Sequence, residues 1–296
     1  DDALKRVHAA IAAGVGAMEI KSGYGLTLDA ERKMLRVIKR LKEAVPIPIK
    51  ATFLGYHAVP AEFEDAAAYT KHVVEEMLPT FARDGLIDYV DAFCEKGYFG
   101  VDETRALLIA SNALGIKGKV HVNQFNEIGG INLCINQKAL SVDHLEVCGA
   151  EVIQRLVEDY KGIEKGKGHP TYPVALPGCS HFLGIPFAPG RALIDAGLPL
   201  ALATDHNPGS APSGDMTMVV RLASLKMNLL PREAIAAATL NGAAAMELSH
   251  EVGAIGRGHR ANLILSHPME GLQHMAYRFT DAVVDKVFVN GEIWEG

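Results

Sequence analysis

Polar side chains that could bind a metal ion or move a proton recur at one kind of position in this sequence, at or just beyond the end of a predicted strand. They belong to Tyr24, His57, Glu95, His121, Gln124, His144, Asp205 and Asn207. Imidazole and carboxylate ligands together suit zinc or iron(II), and such an ion acidifies bound water for attack on an amide-like carbon. However, His121 and Asp205 are fewer ligands than a catalytic metal site needs, and the sequence has no H-x-H pair, so these residues alone do not establish a metal site.

Asp205 follows the most distinctive stretch of the chain, an uncharged run at residues 198–203, and leads into a loop with Asn207, Gly209 and Ser210. Such a run predicts a strand buried on both faces, as in a parallel sheet covered by helices. At the carboxyl end of this strand an aspartate can bind a metal, accept a proton from water, or cap the next helix. The stretch alone leaves these alternatives open.

Strands and helices alternate along the chain in units of about 30 residues, which is typical of a parallel α/β domain. The predicted strands lie near residues 17, 49, 88, 119, 140, 172 and 200. Seven strands are one fewer than a TIM-type (β/α)₈ barrel contains. The prediction is therefore an α/β, TIM-like (β/α)₈ barrel that lacks its first β/α unit, a unit expected to lie before Asp1.

The tail of the sequence has a different character from the rest. Short strands are predicted at residues 252–258, 261–266 and 286–294, separated by glycine and Asn-Gly turns. They suit part of a small β-sandwich, so the predicted domains are the barrel at residues 1–250 and the sandwich strands at residues 251–296. A charged, glycine-rich stretch at residues 161–168 predicts a mobile surface loop.

Composition excludes several classes of protein. The net charge of −6, with no dense basic stripe, argues against a nucleic-acid partner. Apolar runs fall short of the roughly 18 residues that a membrane helix needs. The four cysteines form no C-x-x-C pair, which argues against a disulfide framework or a thiolate zinc site and favours a reducing compartment, the cytoplasm.

Seven strings, in order, resemble the imidazolonepropionase family of the amidohydrolase superfamily. They are KSGYGL at 21–26, TFLGYH at 52–57, FCEK at 93–96, HVNQ at 121–124, SVDH at 141–144, ALPG at 175–178 and ATDHNPGS at 203–210. The likeness runs through essentially the whole chain. It implies hydrolysis of the cyclic amide of 4-imidazolone-5-propanoate to N-formimidoyl-L-glutamate, a step of histidine degradation, with one divalent metal, Zn²⁺ or Fe²⁺. Dimers are common among barrel enzymes of this kind, which suggests a homodimer.

The resemblance also assigns roles to individual residues. His121 and Asp205 match metal ligands, and Asp205 is expected to accept the proton of the attacking water. His144 matches a histidine beside the scissile carbonyl, where it polarises the oxygen or shuttles a proton. The remaining matched positions bind the substrate or its open-chain product: Tyr24, His57, Gln124, Asn207, Gly209 and Ser210.

Two departures from the family pattern bear on these roles. Many members have glutamate where this chain has Gln124, and an amide cannot act as a base, so Gln124 is assigned to hydrogen bonding. The family's H-x-H ligands and an arginine that reads the substrate carboxylate have no counterpart here, so the metal site is expected to be half present. The alternatives are therefore another amidohydrolase, such as a cyclic amidase or a deaminase, and a catalytically inactive fragment.

Overall fold

The computed structural model describes residues 1–163 and 168–296. They fall into two compact units, each assembled from segments that are separate in the sequence. The central unit consists of Glu19–Glu43 and Ile49–Pro173, and the terminal unit consists of Asp1–Met18, Ala44–Pro48 and Val174–Gly296.

The central unit alternates strands with helices, because short apolar runs are followed by amphipathic segments. Its elements are β1 (Met18–Lys21), α2 (Leu28–Ala44), β2 (Ile49–Tyr56), α3 (Ala66–His72), α4 (Leu78–Arg83), β3 (Tyr89–Cys94), α5 (Val101–Ala113), β4 (Lys117–Val122), α6 (Gly130–Asn136), β5 (Ser141–His144) and α7 (Ala150–Gly162). A single π-helical turn, Val73–Met77, joins α3 to α4. Leu35, Ile38 and Leu41 form the buried stripe of α2, as the spacing of its apolar residues requires.

The strands of the central unit are neighbours in chain order, from β1 to β5. The ladder between β3 and β4 is parallel and pairs Phe93 with His121. The ladder between β4 and β5 is also parallel, and pairs His121 with Asp143. Since alternate residues of a strand share a face, these ladders bring polar side chains of neighbouring strands together.

The terminal unit contains short parallel strands, helices and a separate antiparallel sheet. Its elements are α1 (Asp2–Ala12), the end of β6 (Tyr172–Ala175), α8 (Pro177–Leu183), α9 (Gly190–Asp195), β7 (Ala201–Leu202), α10 (Met216–Lys226), α11 (Pro231–Ala236), α12 (Gly242–Ala244), β8 (Leu263–Ser266), α13 (Gln273–Tyr277), β9 (Val284–Val289) and β10 (Glu292–Ile293). A π-helical turn, Ala237–Asn241, precedes α12. The side chain of Asn241 donates to the carbonyl of Leu200, 2.8 Å away, and so holds the start of β7.

The predicted parallel α/β class is confirmed, since each of the seven predicted strands is present in the described part of the chain. The antiparallel sheet has the order β10-β9-β8, and the predicted Asn-Gly turn joins β9 to β10. The division into a domain at residues 1–250 and sandwich strands at 251–296 stays a prediction. Within the described residues, no helix is both long and apolar enough to cross a membrane.

Several predicted boundaries are wrong. Residues 252–258 form bends and turns rather than a strand, because Gly253 and Gly258 have φ angles of +91° and +87°, outside the range of a β-strand. The strand predicted at 169–177 is shorter, since Pro177 starts α8. The run at 198–203 contributes a two-residue strand. The predicted loop at 161–168 begins as the last turn of α7, and residues 164–167 lie outside the described residues.

Candidate active site

The residues predicted to bind metal, substrate or product lie at or beyond strand ends in both units. The central unit holds Tyr24, His57, His121, Gln124 and His144. The terminal unit holds Asp205, Asn207, Gly209 and Ser210.

The loop after β1 carries Tyr24 and is anchored by the buried carboxylate of Glu31. That carboxylate accepts hydrogen bonds from the backbone N–H groups of Gly23 at 2.9 Å, Gly25 at 2.6 Å and Leu26 at 3.0 Å. Gly23 has a φ of +118°, and a Cβ there would lie 2.8 Å from the carbonyl oxygen of Leu54. The loop therefore requires glycine at this position and is fixed by a charged acceptor.

His57 is held against the same loop. Its Nδ1 lies 3.1 Å from the carbonyl oxygen of Gly23, and a carbonyl can only accept, so Nδ1 carries the proton and donates. The ring meets that of Tyr24 edge-on, with centroids 4.8 Å apart. Burial, reinforced by the positive charge at His121, lowers the pKa of His57. The arrangement leaves a neutral imidazole whose Nε2 is an acceptor.

His121 is bound through one ring nitrogen to a carboxylate that sequence reasoning did not single out. Its Nδ1 lies 3.0 Å from Oδ1 and 2.9 Å from Oδ2 of Asp91, a fully buried residue of β3. Burial lowers the pKa of His121, but the charge of Asp91 and this hydrogen bond outweigh burial and raise it overall. With Nδ1 occupied, Nε2 is the ring atom through which His121 can bind a metal.

A network of buried and partly buried charges lies behind His121. The Lys21 ammonium is 2.9 Å from Glu19, 2.8 Å from Asp91 and 3.4 Å from Asp143, and Lys119 is 3.4 Å from Glu19. Burial would raise the pKa values of the three carboxyl groups, but the neighbouring cations outweigh it and lower them. Burial would lower the pKa of Lys21, but the neighbouring carboxylates outweigh burial and raise it overall. Three carboxylates face two ammonium groups, and this excess of negative charge favours a cation at His121.

His144 ends β5 next to His121, with ring centroids 5.1 Å apart. Its φ is +89° and that of Leu145 is +71°, a costly conformation for side chains with a Cβ. Its Nδ1 lies 3.4 Å from Oε1 of Glu146. The strained turn points to a constraint on this histidine beyond packing, since strain of this kind concentrates at functional sites.

The loop that carries Gln124 is held by Glu95, which was considered for chemistry only because it ends a strand. The Glu95 carboxylate accepts from the backbone N–H of Phe125 at 2.9 Å, and from the backbone and side-chain N–H groups of Asn126 at 3.2 and 2.9 Å. Gln124 itself is buried. The structure therefore gives Glu95 a supporting role beneath the loop.

In the terminal unit, Asn207 organises the loop that follows β7. Its Oδ1 accepts from the backbone N–H groups of Gly209 at 2.9 Å and Ser210 at 2.7 Å, while its Nδ2 donates to the carbonyl of Asp205 at 2.7 Å. Asp205 has a φ of +52°, which places the start of the loop in the left-handed region. Asn207 thus shapes the loop that also carries Asp205, Gly209 and Ser210, the other predicted site residues of this unit.

Sequence reasoning missed Asp91, Glu31 and the lysines of the charged network. A signal was present in the strands, where polar residues stand two positions apart with an apolar residue between them: Glu19 and Lys21, and Lys119 and His121. Residues two apart share a face of a strand, so these pairs were a signal from which a polar layer within the sheet could have been inferred. Glu31 gave no comparable signal, because a charged residue in the first turn of a helix is ordinary.

The sequence matches the amidohydrolase family over residues 4–294. It is 50% identical over 294 residues to the imidazolonepropionase of Christiangramia forsetii, covering 99% of this chain and 69% of that protein. It is 51% identical to the imidazolonepropionase of Flavobacterium johnsoniae, covering 97% of this chain and 68% of that protein. The chain thus spans about two thirds of the length of these curated relatives.

Solved structures share the fold at low sequence identity. An adenosine deaminase from Xanthomonas campestris with bound zinc is 16% identical, with a TM-score of 0.70, and covers 99% of this chain and 69% of that one. A mutant of atrazine chlorohydrolase from Arthrobacter aurescens, complexed with zinc and atraton, is 15% identical, with a TM-score of 0.73, and covers 99% and 72%. At this identity the likeness concerns the fold alone.

Proposed function

The chain belongs to the amidohydrolase family, hydrolases of carbon–nitrogen bonds, and we propose that its residues serve the hydrolysis of the cyclic amide of 4-imidazolone-5-propanoate to N-formimidoyl-L-glutamate. The substrate follows from the likeness to imidazolonepropionases at about half identity over nearly the whole chain. The dimeric assembly and the cytoplasmic location stay predictions.

The observation that carries the proposal is the setting of His121. Its Nδ1 is engaged by Asp91 at 2.9–3.0 Å, which leaves Nε2 as a ligand atom, and the charges behind it favour a cation. The acidic groups beside it, Asp91 and Asp143, already hold the ammonium of Lys21 at 2.8 and 3.4 Å. The donor set therefore fits a metal bound through Nε2 of His121 rather than one among these carboxylates.

The proposal assigns metal ligation to His121 and Asp205, the latter on the strength of its sequence motif. A divalent ion, Zn²⁺ or Fe²⁺ in this proposal, acidifies water and polarises a carbonyl when it is bound. Asp205 is then the acceptor for the proton of the attacking water, in keeping with an aspartate at the end of a strand. His144, close to His121, is placed to hold or move a proton at the substrate oxygen.

The other proposed roles concern binding. His57 presents Nε2 as an acceptor for a ring N–H, since its Nδ1 is bound to Gly23. Tyr24 is 56% exposed and offers both a ring face and a hydroxyl. The remaining side chains and backbone groups assigned to substrate or product are those of Gln124, Asn207, Gly209 and Ser210.

The test is turnover of 4-imidazolone-5-propanoate by the complete protein that carries this sequence, with metal content measured on the same samples. His121→Asn is expected to lose both metal and turnover. His250→Asn is the matched control, because His250 is an exposed histidine outside the proposed site. A metal-loaded protein that hydrolyses a hydantoin or deaminates cytosine but leaves the imidazolone intact would disprove the assigned substrate.

A further inference from the structure

We infer that Asp91 is a positioning residue that fixes the tautomer and the orientation of the His121 ring, so that Nε2 is the nitrogen presented to a metal. The inference rests on the proposed function, in which His121 is a metal ligand. It adds a residue of the strand interior to the proposed site.

The contact geometry fixes the direction of the hydrogen bond. Both carboxylate oxygens of Asp91 lie within hydrogen-bond distance of Nδ1 of His121, at 3.0 and 2.9 Å. An ionised carboxylate only accepts, so Nδ1 must carry the proton, and in a neutral imidazole Nε2 then has a free lone pair. Histidines that bind metals commonly donate their other ring N–H to a carboxylate in this way.

Asp91 is itself held in place. It is fully buried, and Oδ2 lies 2.8 Å from the ammonium of Lys21. Its Oδ1 also accepts from the backbone N–H of His121 at 3.3 Å. Rotation of the carboxylate would break its ion pair with the partly buried ammonium of Lys21 and its bond to the backbone of His121, and charge-assisted bonds of this kind are among the stronger ones. The ring of His121 is therefore oriented by a group that cannot readily move.

Asp143 is a neighbour of His121 with a different set of partners. It faces His121 across the ladder between β4 and β5, and one of its oxygens lies within 4.8 Å of a ring nitrogen of His121. However, Oδ1 of Asp143 accepts from Ser141 at 2.6 Å, and Oδ2 faces Lys21 at 3.4 Å. Asp143 shares the burial and the cation of Asp91 but has no such hydrogen bond to the imidazole, so it is a matched control.

The tautomer can be read directly by ¹⁵N NMR of the histidine side chains in the metal-free wild-type protein, with the His121 ring assigned by through-bond correlation to its own backbone. At a pH at which the ring is neutral, we expect a protonated Nδ1 and an unprotonated Nε2. The opposite tautomer would overturn the inference. This readout needs neither activity nor metal, and it uses the wild-type protein, so it decides the question even if a variant fails to fold.

The second measurement is zinc affinity, determined by competition with a chromophoric chelator, for the wild type, Asp91→Asn and Asp143→Asn. Loss of such a supporting carboxylate typically weakens metal binding by about 10–100-fold, and we expect this for Asp91→Asn alone. Equal weakening in both variants would overturn the inference, since the effect would then come from the charge of the network. A wild-type protein that binds no zinc or iron would refute the proposed metal site, while the tautomer would still decide the role of Asp91.

Discussion

Replacing Glu31 by glutamine is expected to loosen the loop that carries the exposed ring of Tyr24. The Glu31 carboxylate accepts from three backbone N–H groups at 2.6–3.0 Å. A hydrogen bond to a charged group contributes about 1.5–3 kcal/mol. Glutamine keeps one oxygen but turns a donor towards one N–H group, so one charged bond is lost and two become neutral. The expected loss of stability is about 3 kcal/mol.

Urea unfolding measures the global effect, and hydrogen exchange at the amides of Gly23, Gly25 and Leu26 measures the local one. Where these amides exchange by local opening, a loss of this size corresponds to acceleration by about 100-fold, since each 1.4 kcal/mol is a factor of ten. Glu43→Gln is the matched control, because Glu43 belongs to the same helix and is exposed. It should leave both readouts unchanged.

Two results would refute this reasoning. If Glu31→Gln had the same urea midpoint of unfolding as the wild type and unchanged amide exchange, the carboxylate would not be the anchor of the loop. If Glu31→Gln and Glu43→Gln lost the same stability, the effect would arise from helix charge and not from the buried contacts. Faster exchange confined to the loop amides, without a global change, would show that the loop opens independently.

Three other sites give measurable outcomes. Asn207→Ala removes the acceptor of two backbone N–H groups; we expect a loss of stability of about 2 kcal/mol and faster proteolysis of the loop. Asn207→Asp should keep these two bonds and lose only the bond to the carbonyl of Asp205, so its effect should be smaller. Gly118→Ala places a Cβ 2.2 Å from a methyl group of Leu108; urea unfolding should show a cost of about 1–3 kcal/mol, against none for Gly162→Ala, which has open space. Burial raises the pKa of Cys148 to about 12, so at pH 8 its thiolate fraction is about 1000-fold lower than in unfolded protein. A thiolate of higher pKa is also more nucleophilic, so we expect Cys148 to react with a disulfide reagent about 100-fold more slowly than in unfolded protein.

The order of strands and helices was predictable because buried parallel strands are short apolar runs, and the helices between them have a 3.6-residue period. Strand length was less predictable. The uncharged run at 198–203 pairs with β6 through two residues, Ala201 and Leu202. Hydrophobicity predicts burial there, but the number of hydrogen-bonded pairs depends on the partner strand, which ends where Pro177 starts a helix.

The candidate site was predictable where its residues end strands, since chain order and strand number place such residues on one edge of a parallel sheet. Partners of those residues were harder to predict. Asp91 lies inside β3, where a carboxylate is unusual in a buried strand. Its role becomes apparent only from its hydrogen bond to His121 on the next strand. Pairing of this kind depends on the register between strands, which no local pattern fixes.

The charged layer inside the central unit has an energetic consequence for the site. Taking five ionised groups wholly or partly out of water costs desolvation that their mutual attraction only partly offsets, and apolar side chains of similar volume would often stabilise a fold at least as well. Stability alone therefore gives a weak reason for Glu19, Lys21, Asp91, Lys119 and Asp143. Each of these groups nevertheless has a partner of opposite charge within 3.4 Å, and Asp91 also accepts a hydrogen bond from the imidazole of His121, the proposed metal ligand. The layer is best explained as the support that sets the charge and the direction of His121, with stability as the cost.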